Sequence, residues 1–172
     1  IHTALSNLQP IKGRVELFKS PKGAPRKLTV VVDYAHTPDS LEKLYKAFEK
    51  DKKIGVLGNT GGGRDTWKRP EMGRIAGLYC EKIILTNEDP YDENPQKIID
   101  EMARGVEDES KVRIIMDRRA AIRTALHDAP NGSVVLISGK GTDPYIMGPN
   151  GTKMPWSDAE VAREELIKLA SK

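Results

Sequence analysis

The chain has 172 residues and a mass of 19.1 kDa, which fits one domain with a sizeable core. Hydrophobic residues make up 38% and charged residues 31%; no run approaches the roughly 20 apolar residues of a spanning helix, which excludes a helical membrane protein. A net charge of +3, scattered basic residues and 5% aromatics exclude the basic, stacking surface of a nucleic-acid binder.

In chain order, the segment from Gly13 to Phe18 (G-R-V-E-L-F) alternates like a half-buried strand, and the turn P-K-G-A-P leads to a strand over 28–32. A helix follows with Leu41, Leu44, Tyr45 and Phe48 at helical spacing, entered by Thr37 as N-cap and Pro38 at the first helical position. The cycle repeats with a strand over 54–57, a glycine loop, and a helix bearing Met72, Ile75, Ala76 and Tyr79. A strand over 83–85 precedes a helix entered near Pro95, with Ile98, Ile99 and Met102 on one face. Next come a strand over 112–116, a helix over 120–129 and a last buried strand over 134–137. The final helix opens on S-D-A-E (Ser157 to Glu160), the pattern of a capping box. Strands alternating with helices predict a Rossmann-like three-layer α/β domain. Its sheet is expected to be mostly parallel, with a short antiparallel strand pair at the N-terminal end.

Cys80 is the only cysteine, so no internal disulfide forms, and a reducing, cytoplasmic compartment is expected. It is read as a small core hydrophobe. His2, His36 and His127 lie far apart and have no cysteine partners, so no metal site is expected within the chain. No signal peptide is visible, and a start at Ile1 rather than Met points to a piece of something longer.

Each apolar run is followed at once by a polar segment. These are D-Y-A-H-T-P-D from Asp33, G-N-T-G-G-G-R-D from Gly58, T-N-E-D-P-Y from Thr86, D-R-R from Asp117 and G-K-G-T-D from Gly139. Apolar runs so bounded read as fully buried parallel strands, and ligands bind outside the carboxyl ends of such strands. The five segments are therefore expected to share one rim. The glycine loop is no Walker loop, since G-x-x-x-x-G-K-[ST] is absent, and no G-x-G-x-x-G follows the first strand. It reads either as an anion-receiving loop or as a tight turn needing positive φ. Arg64 reads as a bidentate carboxylate clamp or as a surface partner of Asp65. Asp33 and His36 share a turn, where a carboxylate and an imidazole suit a nucleotide or a helix entry. Glu88, Asp89 and Asp92 are acidic where Arg64 and Lys140 are basic, and both signs together suit a zwitterion such as an amino acid. Asp92 and Glu93 read as solvated loop charge.

Taken in order, these segments resemble the C-terminal domain of the Mur ligases, in particular the branch that adds the third peptidoglycan residue. D-Y-A-H-T-P-D-S-L is similar to that branch's D-Y-A-H-T-P-D-x-L. G-N-T-G-G-G-R-D-T-W-K-R-P-E-M-G resembles G-x-x-G-x-x-R-D-x-x-K-R-P-x-M-G. T-N-E-D-P-Y-D-E-N-P follows T-x-D-N-P-R-x-E-x-P, G-K-G-T-D follows G-K-G-H-E, and W-S-D-A-E-V-A-R-E follows F-x-D-x-E-V-A-R-E. The resemblance implies an ATP-dependent amide ligase that adds an amino acid to UDP-MurNAc-L-Ala-D-Glu through an acyl phosphate. ATP and Mg2+ are then held mainly by a central domain, and the UDP group by an N-terminal domain, both outside this chain. Residues 1–172 are expected to form the third domain, which binds the amino acid, closes over ATP, acts with the rest of its own polypeptide and is inactive alone.

Carried over position by position, Arg64, Glu88, Asp89, Pro90, Tyr91, Gly139 and Asp143 are implied to bind the amino acid. Asp33, His36 and Asn59 are implied to face the nucleotide and reaction centre. Lys68, Arg69 and Lys140 are implied to line the interdomain cleft or to serve the structure. Tyr91 stands where diaminopimelate-adding members carry Arg, Glu88-Asp89 replaces Asp-Asn, and Thr142 and Asp143 replace His and Glu. A more acidic site without that Arg favours L-lysine or another cationic amino acid. The other readings are a related ligase of the cyanophycin or folylpolyglutamate synthetase type, or a non-catalytic module that binds an amino acid or nucleotide.

Overall fold

A computed structural model describes residues 11–63 and 65–170. In chain order its elements are β1 (Glu16–Lys19), β2 (Thr29–Asp33), α1 (Pro38–Ala47), β3 (Lys53–Leu57), α2 (Lys68–Tyr79), β4 (Lys82–Leu85) and α3 (Pro95–Ala103). Then follow β5 (Val112–Ile114), α4 (Arg118–Asp128), β6 (Val134–Ser138), β7 (Tyr145–Met147), β8 (Lys153–Pro155) and α5 (Asp158–Ala170). Six strands form one sheet in the order β1-β2-β6-β3-β4-β5. All neighbours pair in parallel except β1, which runs antiparallel to β2 with Glu16 opposite Val32.

The period of two along each strand sorts side chains to two faces. Val31, Leu57, Ile83, Leu85 and Leu136 pack under α1, α2 and α3 through Leu41, Tyr45, Met72, Ile75, Ile99 and Met102. Val30, Val32, Val56, Ile84, Val135 and Ile137 pack under α4 and α5 through Ile122, Leu126, Val161 and Leu166. The domain is thus the expected three-layer α/β sandwich. Cys80 is part of the first core cluster, and burial pushes its thiol up to about 12.

Four local readings change. The strand expected from Gly13 begins only at Glu16, because Gly13 (φ 61) and Val15 (φ 47) adopt left-handed backbone. The run V-R-I-I-M is not a buried strand: β5 holds three residues at the sheet edge, with Ile114 40% exposed. The full capping box is at Thr37, which accepts from the Ser40 N–H while the Ser40 hydroxyl accepts from the Thr37 N–H. At Ser157 only the first half forms, its hydroxyl accepting from the Glu160 N–H at 3.2 Å. The hairpin β7–β8 was not expected. It pairs Ile146 with Met154 and stands apart from the main sheet.

Candidate functional site

Because β2, β6, β3, β4 and β5 are parallel, their carboxyl ends share one edge. Across that edge the polar segments stand in the spatial order 33–37, 139–143, 58–63, 86–91 and 115–117. The glycine loop follows the strand between those that carry the acidic and G-K-G-T-D segments, and the acidic segment contacts both of the others.

Two glycines make that contact possible. A Cβ on Gly58 would meet the Thr86 carbonyl and Glu88 Cβ, and one on Gly139 (φ 108) would collide with Glu88 Oε2. Glu88 thus occupies the volume that a side chain on Gly139 would need. It is 3% exposed; Oε1 accepts the Thr60 hydroxyl at 3.3 Å, and Oε2 has no hydrogen-bond partner among the described residues. Burial pushes its carboxyl up to about 7, against the pull of the Arg118 charge. Gly61 donates its N–H to the Asp89 carbonyl at 2.7 Å, which clamps the same two loops together. Close packing on the neighbouring loop accounts for Gly58 and Gly61, where the sequence left an anion loop and a tight turn as alternatives.

The expected rim cation at Lys140 is buried instead. It is 1% exposed, and Nζ donates to both Asp89 oxygens at 2.9 and 2.7 Å, with Asp143 at 3.7 Å. Asp89 also accepts the Met147 N–H at 2.8 Å, so the pair ties the loops after β4 and β6 to β7. An ammonium drawn out of water survives only beside such a partner. Arg69 is likewise 0% exposed: it grips Glu93 through two bonds (2.7 and 2.8 Å), Glu101 at 2.7 Å and the Thr60 carbonyl at 3.2 Å. That geometry fastens α2 to α3 and leaves no face for a cleft. Lys68 is buried at the first turn of α2.

Asp33 holds the backbone rather than projecting from it. Oδ1 accepts the Ala35 N–H and Oδ2 the Val15 N–H, both at 2.8 Å. His36 Nδ1 donates to the Tyr34 carbonyl at 2.9 Å, so that Nε2 is the acceptor nitrogen of the neutral ring. Its ring tilts against Tyr34 at 4.5 Å between centroids, and the Arg14 guanidinium lies 4.8 Å from the other ring's centre. Asn59, expected at the nucleotide-facing surface, is buried, with its amide against Met72 Sδ at 3.1 Å and Oδ1 without a partner among the described residues.

Tyr91 has left-handed backbone (φ 51), bonds through its N–H to the Met147 carbonyl at 3.2 Å, and is 36% exposed. It lines a cavity of about 670 Å³ with Pro90, Asp92, Ile146, Gly148 and Met154. On the other side of β8 lies a second cavity of about 550 Å³, lined by Thr142, Asp143, Met154, Trp156 and Glu160. The unforeseen hairpin therefore stands between two cavities, one lined by the acidic segment and the other by the G-K-G-T-D segment. Arg64 lies outside the described residues. A depression of about 740 Å³ between α4 and α5, with Arg123, His127 and Lys168, contains none of the rim segments.

Sequence reasoning noted D-R-R without assigning it a role. Arg118 is buried and donates Nε and Nη2 to Asp158 at 2.8 and 2.7 Å, and Asp158 also accepts Trp156 Nε1 at 2.8 Å. The signal present was an arginine opening a helix while W-S-D opens another. Their pairing, 40 residues apart, depends on α4 and α5 packing side by side.

The sequence profile of the family described as "Mur ligase, glutamate ligase domain" matches residues 13–141. The chain is 43% identical over 159 residues to the UDP-N-acetylmuramoyl-L-alanyl-D-glutamate–2,6-diaminopimelate ligase of Aquifex aeolicus, covering 91% of this chain and 32% of that protein. It is 42% identical over 168 residues to the enzyme of that name from Bacteroides thetaiotaomicron, covering 94% and 34%. A solved structure of a ligase of the same name superposes with a TM-score of 0.81 at 31% identity, covering 96% of this chain and 33% of that one. The chain spans about a third of the length of the relatives it matches.

Proposed function

Because the chain belongs to the Mur ligase family, as its glutamate ligase domain, we propose that it is the amino-acid-delivering part of an ATP-dependent amide ligase of peptidoglycan precursor synthesis. The whole protein converts the D-glutamate carboxylate of UDP-MurNAc-L-Ala-D-Glu to an acyl phosphate. The amine of the incoming amino acid loses a proton and attacks that carbon, a C–N bond forms, and phosphate leaves with the C–O electrons. The observation that carries this reading is the rim itself, where the family's ordered segments meet around Glu88, a carboxylate without an ion-pair partner among the described residues.

In this reading Arg64 holds the α-carboxylate, the half-buried Asp143 takes the side-chain ammonium, and Glu88 to Tyr91 with Gly139 form the wall between them. His36 Nε2 and the Tyr34 ring face the nucleotide, beside the turn fixed by Asp33. The buried Lys140, Arg69 and Lys68 serve this rim from beneath. Among the described residues no three His, Cys, Asp or Glu side chains gather as a cation site. In this reading the Mg2+ that accompanies ATP, like the triphosphate, is held mainly by the rest of the polypeptide.

Both relatives named above are diaminopimelate ligases by name. Tyr91 cannot supply the positive charge that pairs with a second substrate carboxylate, whereas Glu88, Asp89 and Asp143 make the site acidic. L-lysine or another cationic amino acid is the substrate proposed. Tyr91→Arg in the full-length enzyme is expected to raise kcat/KM for meso-2,6-diaminopimelate relative to L-lysine by about tenfold or more, the scale of one charged hydrogen bond. An unchanged ratio would show that Tyr91 does not face the distal end of the substrate.

A further inference from the structure

Beneath the rim, five charged side chains from four parts of the fold surround one another. Arg118 from α4 forks onto Asp158 of α5, and Lys140 after β6 forks onto Asp89 after β4. Glu88 is the fifth. Two cations thus meet these three carboxylates, with Asp143 a fourth at 3.7 Å from Lys140, and the two ion pairs leave Glu88 without a paired cation among the described residues. The Tyr34 phenol, from the turn after β2, also faces this cluster, and burial together with the Asp143 and Glu88 charges pushes it up.

Arg118 does more than pair with Asp158. Nη1 donates to the Asn87 carbonyl at 3.3 Å and Nη2 to the Ser138 carbonyl at 2.9 Å. Asn87 immediately precedes Glu88, and Ser138 immediately precedes Gly139. One guanidinium therefore sets the distance between the two residues whose contact fills the centre of the rim. We propose that Arg118 is a positioning residue: it fixes Glu88 beside Gly139 and its positive charge steadies that carboxylate, so that the rim keeps a buried negative charge beneath the place where Asp143 takes the substrate ammonium. This rests on the reading of the rim as an amino-acid site.

The consequence is a pH dependence of known sign. Glu88 carries its charge only above its folded value of about 7, so amino-acid capture should rise as pH passes through that value. Among the charges around Glu88, Arg118 is the strongest that lowers this value, ahead of Lys140, while Asp89 and Asp158 raise it. Loss of Arg118 shifts the rise to higher pH.

The test uses the full-length protein and whichever of L-lysine and meso-2,6-diaminopimelate it turns over. Arg118→Lys keeps the charge and loses the fork; the pair Arg118→Met with Asp158→Leu removes both charges without leaving one orphaned. In the paired variant, KM for the amino acid is expected to rise about tenfold with KM for ATP within about twofold, and the midpoint of kcat/KM against pH to move alkaline, because Arg118 outweighs the opposing Asp158. Arg118→Lys is expected to restore the midpoint. Equal changes in both KM values, or an unmoved midpoint, overturn the proposal.

A second measurement needs neither turnover nor an Arg118 variant. Because folding raises Glu88, its contribution to stability is full below the ordinary carboxylate range and is lost as pH rises through about 7. Glu88→Gln should therefore raise Tm at pH 8 relative to wild type more than at pH 5. A pH-independent difference overturns the proposal whatever the activity. Absent turnover with the pH-dependent difference intact overturns the functional reading while upholding the environment assigned to Glu88.

Discussion

At Gly139 the backbone sits at φ 108, and the space beside it holds Glu88 Oε2. Gly132 offers a matched control, since its φ is 83 and a Cβ there would meet nothing within 4 Å. Alanine at Gly132 carries backbone strain alone, of order 1 kcal/mol. Gly139→Ala carries that strain and also displaces a fully buried carboxylate, so it should destabilise by about 1–3 kcal/mol more than Gly132→Ala. Denaturant midpoints of the two variants measure the difference; equal midpoints would mean that Glu88 moves aside freely. That pairing was not legible in the chain. G-K-G-T-D reads as a rim segment from its own letters, but the partners of Gly139 and Lys140 lie about 50 residues away, and only the insertion of β6 between β2 and β3 brings them within reach. For the same reason Lys140 reads as a free cation until Asp89 is placed beside it.

At the level of elements, signals carried by neighbouring residues were readable and those set by sheet position were not. Thr37-Pro38 announces α1, and Asn94-Pro95 places α3, because a cap and its helix lie within one turn. The run V-R-I-I-M has the letters of a buried strand, yet it falls last in the strand order, where only one neighbour covers it. The hairpin β7–β8 was missed because its strands are three residues each, with one apolar position buried, Ile146. Thr37→Ala should cost about 1 kcal/mol, the value of a side-chain cap. Hydrogen exchange is expected to quicken in the first turn of α1 while α3, capped by Asn94, keeps its protection. Equal acceleration in both helices would mean that the cap supports the whole domain rather than its own helix.

For the whole molecule, the three layers put every chemically rich segment at the carboxyl ends of parallel strands, and alternation of strands and helices was enough to foresee that. What the periodicity did not carry is how the rim is held, since its buried ion pairs, Arg118–Asp158 and Lys140–Asp89, join parts of the chain 40 and 51 residues apart. In the proposed reading the rim forms one wall of a site; the chain spans about a third of the length of the relatives it matches. The central claim is that this wall delivers an amino acid to an ATP-dependent ligase. The most direct test is ADP release by the full-length protein given ATP, UDP-MurNAc-L-Ala-D-Glu and a panel of amino acids. The account predicts turnover that depends on one amino acid, a cationic one, with little from meso-2,6-diaminopimelate. No turnover with any amino acid from a folded, ATP-binding protein would contradict it.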